Sequence, residues 1–130
     1  MWKFSCELKA DIPLPPKYTF AKAFNYFNPK KNSFYIFENG ENYIQCGGSK
    51  EMCTVEVREY KSDGSFKHFV FCDLTRSDEE VHIPMSAGGV YRQKKHCLNF
   101  RTAIKLFDCY FRGEPWPNDF SLEDISHKFK

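Results

Sequence analysis

The run CTVEVREY (53–60) sets Glu56 and Arg58 two residues apart, and the next apolar-patterned run, FKHFVFC (66–72), carries His68. Residues two apart on a strand point to the same side of a sheet, and a residue on the neighbouring strand can lie across from them. A carboxylate, a guanidinium and an imidazole on one sheet face are the groups microbial-type ribonucleases use. The carboxylate takes the 2′-hydroxyl proton, the imidazole protonates the leaving oxygen, and arginine neutralises the phosphate. The same residues also make a cross-strand ion pair on a solvated face, an arrangement worth little to stability. Residue types alone leave both readings open.

Other chemistry-bearing groups are sparser. Cys46 abuts Gly47-Gly48, where exposed backbone N–H groups lower a thiol pKa, but no histidine is near it in sequence. A glycine pair cradles phosphate when a helix follows, and here a strand follows. The chain has no Cys-x-x-Cys, and adjacent His96 and Cys97 are poorly placed to ligate one metal together, so no metal site is expected. Arg92, Lys94, Lys95 and His96, with Arg101 and Lys105 beyond them, form a basic cluster that suits either nucleic acid or a solvated strand-to-helix junction.

The elements that position these groups follow from periodicity. WKFSCEL (2–8) alternates as a half-buried strand and ends before the prolines at 13, 15 and 16. Thr19 is placed as the N-cap of a helix in FAKAFNYFN, with Phe20, Ala23, Phe24 and Phe27 on one face and Asn28-Pro29 as its stop. SFYIF (33–37) and YIQC (43–46) make a hairpin with Asn39-Gly40 at the tip. Residues 47–50 read as a turn into the strand 52–60, with Cys53, Val55 and Val57 on one face and Thr54, Glu56, Arg58 and Tyr60 on the other. The turn Ser62-Asp63-Gly64 leads to strand 66–72, and EVHIP (80–84) is a weaker strand. Residues 86–96 have no clear period. Asn99 caps the strongest helix, FRTAIKLFDCYFRG, with Phe100, Ala103, Ile104, Phe107, Tyr110 and Phe111 as its stripe and Gly113 as its stop. A short turn near SLEDIS finishes the chain. This order predicts a single α+β domain over 1–130, a mainly antiparallel sheet with an N-terminal and a C-terminal helix packed on one face.

With 130 residues, 42% hydrophobic and 28% charged, the chain is globular and buries about two-thirds of its unfolded surface. Its fourteen phenylalanines supply much burial per residue. The balance of 19 basic against 17 acidic residues gives no argument for a general phosphate-binding surface. No apolar run approaches the roughly 18 residues of a membrane span, and the charged, alternating N-terminus lacks a secretory core. A cytoplasmic location is expected, with all six cysteines as free thiols.

The segments NYIQCGGSKEMCTVEVREY, SFKHFVF and LNFRTAIKLFDCYFRGEPWPNDFSLEDIS resemble small bacterial immunity proteins of polymorphic-toxin and contact-dependent growth inhibition (CDI) systems, over about residues 34–126. The resemblance rests on the Tyr-Ile-Gln hairpin, the Val-Glu-x-Arg strand, the histidine in the next strand and the Ala-x-x-x-Phe helix with its proline-containing tail. It implies a protein without catalytic site or cofactor that binds and neutralises a cognate toxin domain, the C-terminal domain of a large secreted protein. No membrane or nucleic-acid partner is implied, no functional residue carries over by motif, and Glu56, Arg58 and His68 become a structural polar network. Inhibitors of basic nucleases are usually acidic, and at a net charge of +2 this chain is not, so local acidic groups are the candidates for toxin contact. These are Glu38 with Glu41, Asp73 with Asp78, Glu79 and Glu80, and Glu114 with Asp119, Glu123 and Asp124. Trp116, between two prolines, is the candidate aromatic anchor.

Overall fold

A computed structural model describes residues 2–14 and 20–129. Its strands are β1 (Trp2–Cys6), β2 (Phe34–Asn39), β3 (Asn42–Gly48), β4 (Cys53–Tyr60), β5 (Phe66–Cys72), β6 (Glu80–Ile83), β7 (Val90–Gln93) and β8 (Ser121–Asp124). Two α-helices, α1 (Ala21–Phe24) and α2 (Phe100–Arg112), and two 3-10 turns, Lys94–His96 and Ser126–Phe129, complete the described elements. Six strands form one sheet in the order β1-β2-β3-β4-β5-β8, and β6 pairs with β7 alone. Every pairing is antiparallel, so the domain is α+β with a mainly antiparallel sheet.

Alternation divides the large sheet cleanly. Phe4, Tyr35, Phe37, Ile44, Cys46, Val55, Val57 and Phe71 face a core shared with Phe20, Phe24 and Phe27 and with Leu98, Ala103, Leu106 and Phe107. Aromatic rings dominate this core: Phe24 stacks on Tyr35 at 4.1 Å and meets Phe107 edge-on at 5.1 Å. Phe4 meets Phe20 edge-on at 4.9 Å. Edge-to-face rings gain from their quadrupoles beyond the area they bury.

Helix α2 ends as its sequence predicts. Asn99 Oδ1 accepts from the Thr102 N–H at 3.0 Å, and Gly113 closes the helix at φ 66°. Its buried residues are Ala103, Leu106 and Phe107, so Leu106 belongs to the stripe as well. Helix α1 is a single turn, shorter than the helical spacing suggests. After it, Tyr26 and Phe27 donate to the carbonyls three residues back, and Asn28 and Asn32 exchange backbone hydrogen bonds, both at 2.9 Å. The Asn28 carboxamide also accepts from the Lys30 N–H at 2.8 Å, a local bond that competes with helix. The proposed cap, Thr19, lies outside the described residues.

Three further local expectations are corrected. The β2–β3 turn is Gly40-Glu41 rather than Asn39-Gly40, because Asn39 still pairs with Asn42. Gly47 and Gly48 belong to β3, and the turn lies at residues 49–52, where Ser49 N–H bonds the Met52 carbonyl at 2.9 Å. At Gly48, φ is 131° and a Cβ would sit 2.4 Å from the Met52 carbonyl oxygen, so only glycine fits. SLEDIS contains β8, which pairs with β5 from Phe69↔Asp124 to Cys72↔Ser121.

Candidate functional site

The register of β4 on β5 sets Arg58 opposite His68 and Glu56 opposite Val70, so all three polar side chains share the sheet face away from the aromatic core. They join. Arg58 Nε donates to His68 Nδ1 at 3.0 Å, and His68 Nε2 lies 2.6 Å from Glu56 Oε1. Because Nδ1 accepts from arginine, the ring proton is assigned to Nε2, which donates to the carboxylate. Both ring nitrogens are therefore consumed internally. His68 is fully buried, Glu56 is 5% exposed, and the Ser126 hydroxyl accepts the His68 backbone N–H at 2.8 Å.

Aromatic rings close the cluster. The Arg58 guanidinium lies 3.9 Å from the centroid of Phe66 and 4.6 Å from that of Phe129, with Tyr43 at 5.6 Å. Phe129, from the last 3-10 turn, also packs on the His68 ring at 4.3 Å. Arg92 reaches across from β7, its Nη2 3.8 Å from Glu56 Oε2. Burial by itself pushes the Glu56 carboxyl up, but the hydrogen bond from His68, then Arg92 and Gln45, outweigh it and hold the group below its ordinary value.

Beside Glu56 lies a cavity of about 350 Å³ between the sheet and the β6–β7 hairpin, lined in part by Gln45, Thr54, Met85, Val90 and Arg92. The Thr54 hydroxyl is buried there without a hydrogen-bond partner. Its walls are mostly apolar, and the Glu56 carboxylate on them is already engaged by His68, Arg92 and Gln45. A general acid must reach the proton acceptor on its substrate. Here the His68 proton is directed into a buried carboxylate.

The expected contact residues are dispersed. Glu38 and Glu41 sit at the β2–β3 turn, at the end of the sheet shared with Tyr60 and Phe66, whereas Asp73 follows Cys72 at the opposite end. Asp73 bonds its own loop through the Thr75 N–H (3.0 Å) and hydroxyl (2.6 Å), which lowers its carboxyl. Asp78 pairs with Lys95 at 3.0 Å and Glu79 with Lys94 at 3.2 Å. Glu80 and Asp119 are exposed, as is Glu114 beyond the end of α2. Trp116 folds inward, edge-on to Phe71 at 4.9 Å and stacked on Tyr110 at 6.2 Å. The large apolar side chains standing out from the surface include Tyr26, Leu74 and Tyr91, each more than 60% exposed.

The basic cluster is equally divided: Arg92 turns to Glu56, and Lys94 and Lys95 turn to acids of the loop before β6. Cys46 and Cys53 are buried free thiols on the core face, and burial raises the Cys46 thiol well above its ordinary value. Adjacent His96 and Cys97 do diverge. The Cys97 thiol faces the Gln93 carbonyl at 3.5 Å, while His96 turns toward Glu123. Arg92, Phe129, Tyr43 and Ser126 complete the polar cluster without having been singled out by sequence. Arg92 stood out only as one basic residue among several, and the other three left no local signal. No protein-family model, curated protein or solved structure matches this chain.

Proposed function

We propose that the protein is a non-catalytic immunity protein that binds and neutralises a toxin domain by covering its active site or substrate-entry surface. The observation that carries this reading is the self-saturated Glu56–His68–Arg58 cluster, buried under Phe129 and held by Arg92. Groups used up in this way hold a fold together and leave function to the surface. On this reading both helices lie on the Phe4–Phe37–Val55 face, and binding belongs to the side that carries the β6–β7 hairpin.

The surface favoured for contact is the loop 73–80 and the hairpin it enters. It combines the exposed side chains of Leu74 and Tyr91 with the carboxylates of Asp78, Glu79 and Glu80. Apolar anchors within a charged rim suit a standard interface of roughly 1,600 Å² in total. The protein would act in the cytoplasm, where an incoming toxin reaches its target, with the C-terminal domain of a large secreted protein as partner.

Co-expression with the C-terminal domain of a large secreted protein, if one is encoded next to this chain, tests the proposal. The expected result is rescue of growth, a stable complex, and weakened capture by Leu74→Ala/Tyr91→Ala. Failure to bind that domain would overturn it. So would RNA cleavage by the purified chain that disappears in His68→Ala.

A further inference from the structure

Three residues far apart in sequence converge at the Cys72 end of β5. Cys72 closes that strand, His96 ends the 3-10 turn before α2, and Glu123 lies on β8. One donor atom from each (a thiol sulfur, an imidazole nitrogen and a carboxylate oxygen) lies within 4.8 Å of the other two. Cys72 is 1% exposed and His96 4% exposed, whereas the Glu123 side chain is 42% exposed.

The histidine supplies the second observation. His96 Nε2 is buried with no hydrogen-bond partner. The Glu123 Oε1 atom stands 3.4 Å from it, close enough for charge attraction but out of hydrogen-bond geometry. A buried ring nitrogen without a partner is costly, and coordination to an ion would satisfy it. Two ligands bonded at ordinary lengths to one tetrahedral zinc ion stand about 3.3 Å apart for nitrogen and oxygen, and about 3.6 Å for nitrogen and sulfur. The His96–Glu123 separation, 3.4 Å, is already close to that value, and the sulfur needs to close by at most about 1.2 Å.

We propose that Cys72, His96 and Glu123 form a binding site for a divalent transition-metal ion of the zinc class. The sulfur–nitrogen–oxygen set excludes magnesium and calcium, which take oxygen ligands. Binding releases the Cys72 proton to solvent, because the thiolate is the ligand. The half-exposed Glu123 side leaves a fourth position to water. Lys95 is the opposing charge, with Nζ 3.8 Å from Glu123 Oε1, but its shorter contact, 3.0 Å, is to Asp78. An ion here would tie the edge strand β8 and the segment leading into α2 to the end of β5. The site is independent of the toxin-binding reading.

The test uses the full-length protein, reduced, stripped with a chelator and titrated with Co²⁺. The expected result is one equivalent bound, a thiolate-to-cobalt charge-transfer band, visible bands of four-coordinate strength, and displacement by Zn²⁺. Cys72→Ser should abolish the charge-transfer band, and Cys109→Ser should leave it intact. Should Cys72→Ser not fold, Glu123→Gln serves instead: on a half-exposed edge position it should keep the native circular dichroism and weaken Zn²⁺ binding by at least roughly tenfold. Absence of the charge-transfer band in the native protein, its survival in Cys72→Ser, or unchanged affinity in Glu123→Gln would overturn the site.

Discussion

His68 is a residue type that does acid–base chemistry, held here in a buried position. Its two nitrogens are spent on Arg58 and Glu56, and its ring is covered by Phe129. Removing one member of a buried charged cluster leaves the others unpaired, so His68→Ala should lower the unfolding free energy by about 3–5 kcal/mol in denaturant titration. Adding Glu56→Gln to that variant should recover part of the loss, which a double-mutant cycle will read directly. The pH response follows from the depressed Glu56 carboxyl. A group held below its ordinary value adds stability above that value and loses it as the pH falls through the lower folded one. Wild-type stability should therefore decline below about the ordinary glutamate value of 4.5. In Glu56→Gln the decline should be shallower but still present, because the carboxyls of Asp63, Asp73 and Asp124 are lowered as well. The sequence offered the three residue types and their common face. It could not show the covering groups, because Phe129 and Arg92 arrive from distant segments.

Among the elements, α2 was legible nearly to the residue, since its cap, stripe and glycine stop are all local. Asn99→Ala should cost about 1 kcal/mol by loss of the Thr102 hydrogen bond, measured by thermal or chemical unfolding. The β3–β4 connection was misread by a few residues because two glycines suggest a turn, whereas the second is needed for a close backbone approach within the strand end. Gly48→Ala should destabilise by more than about 1 kcal/mol and by more than the same change at Gly40, which shares a positive φ (66°) but where a Cβ meets nothing within 4 Å. Helix α1 kept its buried phenylalanines but not its length, since Asn28 and Asn32 take up the backbone groups that a further turn would need. Strand β8 was missed for another reason. Its four residues carry little pattern of their own, and they are extended because the free edge of β5 offers hydrogen bonds.

For the whole molecule, one aromatic core joins the sheet to α1 and α2, and β8 and the final 3-10 turn are built onto the edge and the polar face. A single core predicts one cooperative transition, with far-ultraviolet dichroism and tryptophan fluorescence coinciding in denaturant. Separate transitions would mean that the polar-face cluster opens independently. Among the described residues no helix is long and apolar enough to cross a membrane. The sequence by itself determined the strand alternation that sorts core from polar face, the capped helix α2 and the α+β class, because these depend on periods of two and 3.6 residues and on local caps. Only the tertiary structure decided that Arg92 would meet Glu56, that Phe129 would cover His68, and that Cys72, His96 and Glu123 would stand together. Those meetings depend on strand order and register across the whole chain, and no local pattern of residues carries that information.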